Sequence, residues 1–250
     1  MRLAEATWTD VRDSTAGLAV LPVGSTEQHG PHAPLGTDAV HAEDVAAAGA
    51  ERHGASVVVA PTVPVGVSEE HRAFDGTLWV SPDTLRAYVR ETVASLASHG
   101  LDRVVVVNGH GGNVAALREA TARLTRDGTA YAVPFTWFDA VDPADLAGEP
   151  VAMGHGGPVE TALLRHTHPD LVREERTATA GEGAADGWGE WVAGVNLAYD
   201  TAEFTDNGVV GDPAEGSADL GAALYDAAAA ALASVLAAVE ERTVAGRDGG

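Results

Sequence analysis

Cysteine and lysine are both absent from these 250 residues. Without cysteine there is no disulfide, no thiol nucleophile and no cysteine-ligated zinc. Without lysine there is no Walker A phosphate lysine, no Schiff base and no serine–lysine catalytic pair. No G-x-S-x-G elbow occurs either, so an activated water is favoured over a covalent nucleophile. The N-terminus has no basic segment leading into an apolar stretch, and no run of about 18 apolar residues stands out as a bilayer span. The expectation is a soluble, cytoplasmic protein. Positive charge is scarce as well: 37 acidic residues face 15 arginines, for a net charge of -22. A phosphate-rich partner would be repelled, which argues against nucleic acid and anionic membranes.

What is present is a chain with 45% apolar content, enough for one sizeable core, and a single domain over residues 1–250 is expected. Short apolar runs at 18–23, 56–60, 104–107 and 131–135 alternate with amphipathic stretches at 39–52, 82–98 and 114–126. That alternation predicts β-α-β units, hence an α/β fold with a mainly parallel central sheet between two helical layers. Residues 179–216 are rich in Gly, Asp and Glu and read as long loops and short strands near a site mouth or a subunit contact. Residues 218–244 read as a terminal helix, and 247–250 as a frayed tail.

Chemistry-bearing residues collect in glycine-rich loops behind the predicted strands. Glu27, Gln28, His29 and His32 follow the first, with Asp38 at the start of the next helix. Asn108, His110 and Asn113 follow the 104–107 run, interleaved with Gly109, Gly111 and Gly112. In open α/β sheets ligands bind beyond the carboxyl ends of the strands, so the two loops should converge. Oxygen and nitrogen donors of this kind suit Zn, Mn or Fe(II). Asp38 alone would read as a helix cap, but its company favours a metal ligand. Gly111 and Gly112 leave backbone amides free at a helix start. A third cluster, His155 through Glu160, places Pro158 in a first helical turn with Glu160 about half a turn on. Trp137, Trp188 and Trp191 would be either a lid over a flat substrate or, more simply, packing.

Four ordered stretches, at 24–38, 66–78, 108–113 and 154–161, carry G-S-T-E-Q-H-G-P-H, S-E-E-H-x-x-F-x-G-T-L, N-G-H-G-G-N and G-H-G-G-P-V-E-T. In order and spacing they resemble the creatininase family. The resemblance covers roughly residues 2–165. It implies a layered α/β fold, a divalent metal centre of one or two ions, and a homo-oligomer, with a hexamer favoured. It further implies that Glu27, Asp38 and His110 hold one metal and His29, Asp38 and Glu160 the second, with Asp38 bridging. By the same resemblance His155 is the proton-transferring catalytic residue, and His71, Gly111 and Gly112 lie on the substrate side. Creatininase itself supplies an acidic ligand where this chain has Gly112. Family members with the N-G-H-G-G-N version resemble enzymes of other amides, including a formamidopyrimidine deformylase of flavin and deazaflavin synthesis and a mycofactocin maturation peptidase. The expected activity is metal-dependent hydrolysis of a small-molecule amide such as creatinine or a formamide. Phosphoester hydrolysis is disfavoured because arginine is scarce near the motifs, and a non-catalytic metal-binding scaffold is the remaining alternative.

The acidic surface leads to a prediction of its own. Self-repulsion weakens the compact state at low ionic strength, whereas near 1 M salt the Debye length falls to about 3 Å. A salt-rich cytoplasm is therefore expected, and the melting temperature should climb as KCl is raised from dilute to molar. A melting point indifferent to salt would remove the idea.

Overall fold

The structure is a computed structural model that describes residues 1–54 and 56–244. Its elements run α1 (Trp8–Asp13), β1 (Leu18–Val23), α2 (Thr37–His53), β2 (Val57–Val59), α3 (Pro82–Ser98), β3 (Arg103–Asn108), α4 (Val114–Arg126), β4 (Tyr131–Thr136), α5 (Pro143–Ala147), α6 (Pro158–Thr167), α7 (Thr177–Glu182), β5 (Trp191–Val192), β6 (Val195–Asn196) and α8 (Ala218–Glu240), with short 3-10 turns between.

Strands β1 to β4 form one parallel sheet in the order β2-β1-β3-β4. β1 is apolar throughout and β3 is apolar from Val104 to Val107, because both faces of these central strands are covered. Successive side chains point to opposite faces, and the core divides accordingly. Leu18, Val20, Val105 and Val107 join α2, α6 and α8 on one side. Ala19, Leu21, Val104 and Val106 join α3 and α4 on the other. The expected three-layer αβα architecture is thus what this pattern produces. Pro134 sits in β4, an edge strand, where a missing N–H is tolerated.

Helix α8 corrects one expectation. It is long and apolar enough to cross a membrane by length and composition, contrary to the reading that no segment qualifies. Here Leu224, Ala228, Leu232 and Leu236 are buried at intervals of four, which is the stripe of a helix packed on a core. The helix stops at Glu240 rather than 244, and the tail at 247–250 lies outside the described residues. The 179–216 segment is loops, the short helix α7, 3-10 turns and the β5–β6 hairpin. Trp137 is fully buried, whereas Trp191 is exposed.

Beneath the site, His41 on α2 is fully buried with neither ring nitrogen hydrogen-bonded, and its ring meets Trp137 edge-on at 5.6 Å. Burial holds its pKa down to about 3. The unfolded chain therefore takes up this proton near pH 6.5 and the folded one does not, so stability is full above that pH and falls as pH drops toward 3. Between pH 6.5 and 5 the loss should be on the order of 2 kcal/mol. Urea melts of His41→Leu should show a flatter pH dependence than the parent; an unchanged slope would refute this account.

Candidate metal centre

Strands β1 and β3 are neighbours whose connections leave in opposite directions, β1 toward β2 and β3 toward β4. Such a switch point opens a crevice beyond the strand ends. The loop after β1 carries Glu27 and His29, the loop after β3 carries His110, and the first turn of α2 carries Asp38. The approach is close: a Cβ on Gly109 would lie 2.2 Å from the backbone oxygen of Asp38. Asp38 is not the cap of α2, since Gly36 holds that position. Helix α6 brings Glu160 in from the side, its start fixed by Pro158.

Asparagines tie the loops together. Asn113 Nδ2 donates to Gly24 O at 3.0 Å, and its Oδ1 accepts from Val67 N–H at 2.9 Å. Asn108 Nδ2 donates to His110 O at 2.7 Å, and its Oδ1 accepts from His110 N–H at 3.2 Å. Asn113 thus locks three loops to one another, and Asn108 braces the loop after β3.

The five residues expected to hold metal are all buried around one focus. His110 Nδ1 lies 3.1 Å from Glu27 Oε1 and 3.2 Å from Asp38 Oδ2. His29 Nε2 lies 3.0 Å from Asp38 Oδ1 and 3.8 Å from Glu160 Oε2. Glu27, Asp38 and His110 form one set with donor atoms within 4.8 Å of one another. A second set pairs His29 and Glu160 with His155 rather than with Asp38, and a third joins Glu27, His71 and His155. His155 and His71 therefore stand closer to the ligand atoms than the sequence motifs indicated: their rings stack at 4.3 Å.

Electrostatics single out the missing component. Both oxygens of Glu27 and Oδ2 of Asp38 are buried without a hydrogen bond, an arrangement that is costly unless a positive charge faces them. Burial alone would raise Glu27, but His110 and His71 outweigh it and hold the carboxyl below its usual range. Asp38 is likewise held down against burial by His29 and His110. In return, the carboxylates overcome burial to push His29 up to about 10 and His110 well above its ordinary value. A divalent cation at this focus would supply the positive charge that the carboxylates call for. The donor chemistry fits such an ion. Glu160, buried and accepting from Gly156 N–H at 2.6 Å, is raised to about 7 by burial.

Backbone carbonyls assign the imidazole tautomers. His29 Nδ1 donates to Glu27 O, His110 Nε2 to Val67 O and His155 Nε2 to Gln28 O. Each neutral ring then turns a lone pair toward the carboxylates, as a metal ligand or a base requires. The cluster opens onto a cavity of about 380 Å³ whose walls include Gly111, Gly112, Glu70, Phe138 and Trp188. A Cβ on Gly112 would lie 2.2 Å from Val67 O and 2.8 Å from Glu70 Oε1, so glycine here admits the Glu70 loop. Glu70 and Gln28 were not singled out as site residues from sequence. Their positions beside His71 and between Glu27 and His29 were the only signal.

A three-layer αβα protein with buried carboxylates and imidazoles gathered at a switch point belongs to the metal-dependent hydrolases. The family model "Creatininase: Creatinine amidohydrolase" matches residues 4–236, and the chain belongs to the creatininase family. The family's description names an amidohydrolase, a class of enzyme that cleaves C–N bonds. The mycofactocin precursor peptide peptidase of Mycolicibacterium smegmatis is 42% identical over 163 residues, which are 64% of this chain and 61% of that protein. The chain thus matches about three fifths of that relative's length. The protein of the same name from Mycobacterium ulcerans is 36% identical over 219 residues, covering 85% of this chain and 81% of its own. A solved mutant creatininase of Zn-Zn type superposes with a TM-score of 0.77 at 26% identity, covering 94% of this chain and 96% of that one.

Asp38 faces both His29 and His110, so removing it should dismantle the whole cluster. Asp38→Ala is expected to strip bound metal, as read by elemental analysis, while far-ultraviolet circular dichroism stays unchanged. Full occupancy in a folded variant would contradict the assignment.

Proposed function

We propose that this protein is a divalent-metal peptidase of the creatininase family, hydrolysing an amide bond in a peptide substrate. The observation that carries the reading is the pair of buried carboxylates, Glu27 and Asp38, in which both Glu27 oxygens and Asp38 Oδ2 have no hydrogen-bonding partner and face imidazoles. Peptide chemistry is favoured by the two relatives named as precursor peptide peptidases. A cyclic amide such as creatinine is the second reading, favoured by the description of the matching family.

In this reading Glu27, Asp38 and His110 would hold one ion and His29, Asp38 and Glu160 would hold a second, the metal being Zn, Mn or Fe(II). An ion in such a site supplies Lewis acidity, lowering the pKa of a water and polarising a carbonyl oxygen. His155 moves the proton. Its Nε2 donates to Gln28 O at 2.6 Å, which leaves the Nδ1 lone pair facing the cluster 3.8 Å from Glu27. Burial, with His29 and His71 nearby, keeps that ring neutral by holding its pKa well below the ordinary value. Nδ1 accepts the proton released by the attacking water and passes it to the departing nitrogen. His71, Gly111 and Gly112 border the cavity on the substrate side. A homo-oligomer in the cytoplasm completes the reading, on the strength of the family resemblance.

Metal-reconstituted protein assayed against short peptides, creatinine and a pyrimidine formamide should turn over the peptides. Activity on creatinine alone would replace the first reading with the second, and activity on none would leave a metal-binding protein. His155→Ala should lower kcat by about 10²–10⁴-fold with metal content preserved. Loss of metal in that variant would make His155 a ligand instead.

A further inference from the structure

In their neutral forms three of the four imidazoles at the centre turn a lone pair inward, and His71 does the opposite. Its Nδ1 lies 2.8 Å from Gln28 Nε2 and 3.0 Å from the Thr201 hydroxyl. The orientation of the Gln28 amide is settled by two other bonds: Nε2 donates to Gly208 O at 2.9 Å, and Oε1 accepts from Gly30 N–H at 2.9 Å. Turning the amide over would set two oxygens against each other at Gly208 and two donors against each other at Gly30. Gln28 Nε2 is therefore a donor to His71, and a nitrogen that accepts a hydrogen bond cannot carry a proton. In the neutral ring the proton sits on Nε2. That atom is buried, has no hydrogen bond of its own and lies 3.4 Å from Glu27 Oε1, and His71 is one of the residues lining the cavity.

We propose that His71 is a catalytic hydrogen-bond donor to the substrate carbonyl oxygen, and that Gln28 is the positioning residue that keeps its proton on Nε2. The proposal rests on the amidohydrolase reading above and adds a role that excludes His71 as a metal ligand. When water adds to the amide carbon, the carbonyl π pair moves onto oxygen, and the developing negative charge meets the Nε2–H. The proton stays on His71 throughout, and His155 handles the proton that leaves the water. A preorganised donor aimed at such an oxygen acts most strongly where bulk water is excluded. The wall supports that placement: His71 stacks on His155 at 4.3 Å and meets the Trp188 edge at 5.8 Å. Gly208 leaves room for the Gln28 amide, since a Cβ there, at a φ of +83°, would lie 2.0 Å from Oε1. The sequence hides this, because Gln28 and His71 are 43 residues apart and Gly208 is 180 beyond Gln28.

The test uses the full chain loaded with zinc. Nitrogen-15 correlation spectra of the histidine rings, with His71 assigned by its disappearance in His71→Leu, should show Nε2 protonated and Nδ1 bare. His71→Leu should lower kcat for a cleaved peptide by about 10²–10³-fold with KM and zinc content unchanged. His71→Gln, which restores an N–H, should recover part of the loss. Gln28→Glu, which replaces the donor with an acceptor, should move the proton to Nδ1 and reduce kcat in the same range. A His71 ring with Nδ1 protonated, or His71→Leu protein that binds less zinc, would overturn the proposal. If the wild-type protein cleaves no amide, the amidohydrolase reading fails and the donor role fails with it; a tautomer other than the one stated sinks the donor role alone.

Discussion

Two carboxylates with almost no access to water, Glu27 and Asp38, set the terms for everything around them. An anion removed from solvent must be faced by positive charge or by donors, or it will not stay ionised. This chain has no lysine, and among the described residues no arginine lines the cavity wall. Imidazoles surround the carboxylates instead, and imidazoles are ligands as well as bases. The same arrangement that makes the metal-free cluster electrostatically demanding makes it receptive to a divalent ion.

The fold meets this demand by convergence at the carboxyl ends of β1 and β3. Parallel strands deliver consecutive loops to the same edge of the sheet, and the switch between β1 and β3 leaves a gap there. Asn113 bonds across that gap to Gly24 O and Asn108 braces the loop after β3 through His110, while helices α2 and α6 present Asp38 and Glu160 from one side. Rigidity comes from the β-sheet and its two apolar layers. The reactive groups are carried on short turns at its edge.

Hydrogen bonds behind the imidazoles decide what each ring does. His29, His110 and His155 give their outer protons to backbone carbonyls, whereas His71 receives one from the Gln28 amide. Four residues of one type thereby acquire different faces. Glu160, buried beside Gly156 N–H, is a further case in which surroundings rather than residue type set the character of the group.

Much of this was legible in the residues. Val104 to Val107 announce a strand covered on both sides, and the spacing of Leu85, Val89 and Val93 announces a helix with one buried face. Glu27, His29, Asp38, His110 and Glu160 were legible as a group because their motifs recur in fixed order. Helix α8 was legible as a helix but not as one long enough to span a bilayer, since Asp226 interrupts its apolar run. Gln28 and Glu70 were given no site role from the sequence, because glutamine and glutamate occur on any surface and only proximity across the chain distinguishes these, whereas Trp188, read as either lid or packing, lines the cavity. The grouping of His155 with His29 and Glu160 depends on distances that no spacing along the chain encodes.

The sequence by itself determined the αβα layering and the set of donor residues, because apolar periodicity and residue chemistry are local properties of the chain. Only the tertiary structure decided which donors share a focus, which acceptors go unmatched and which nitrogen of each histidine turns inward. Those depend on contacts between segments far apart in the chain, and such contacts exist only once the backbone has closed around them.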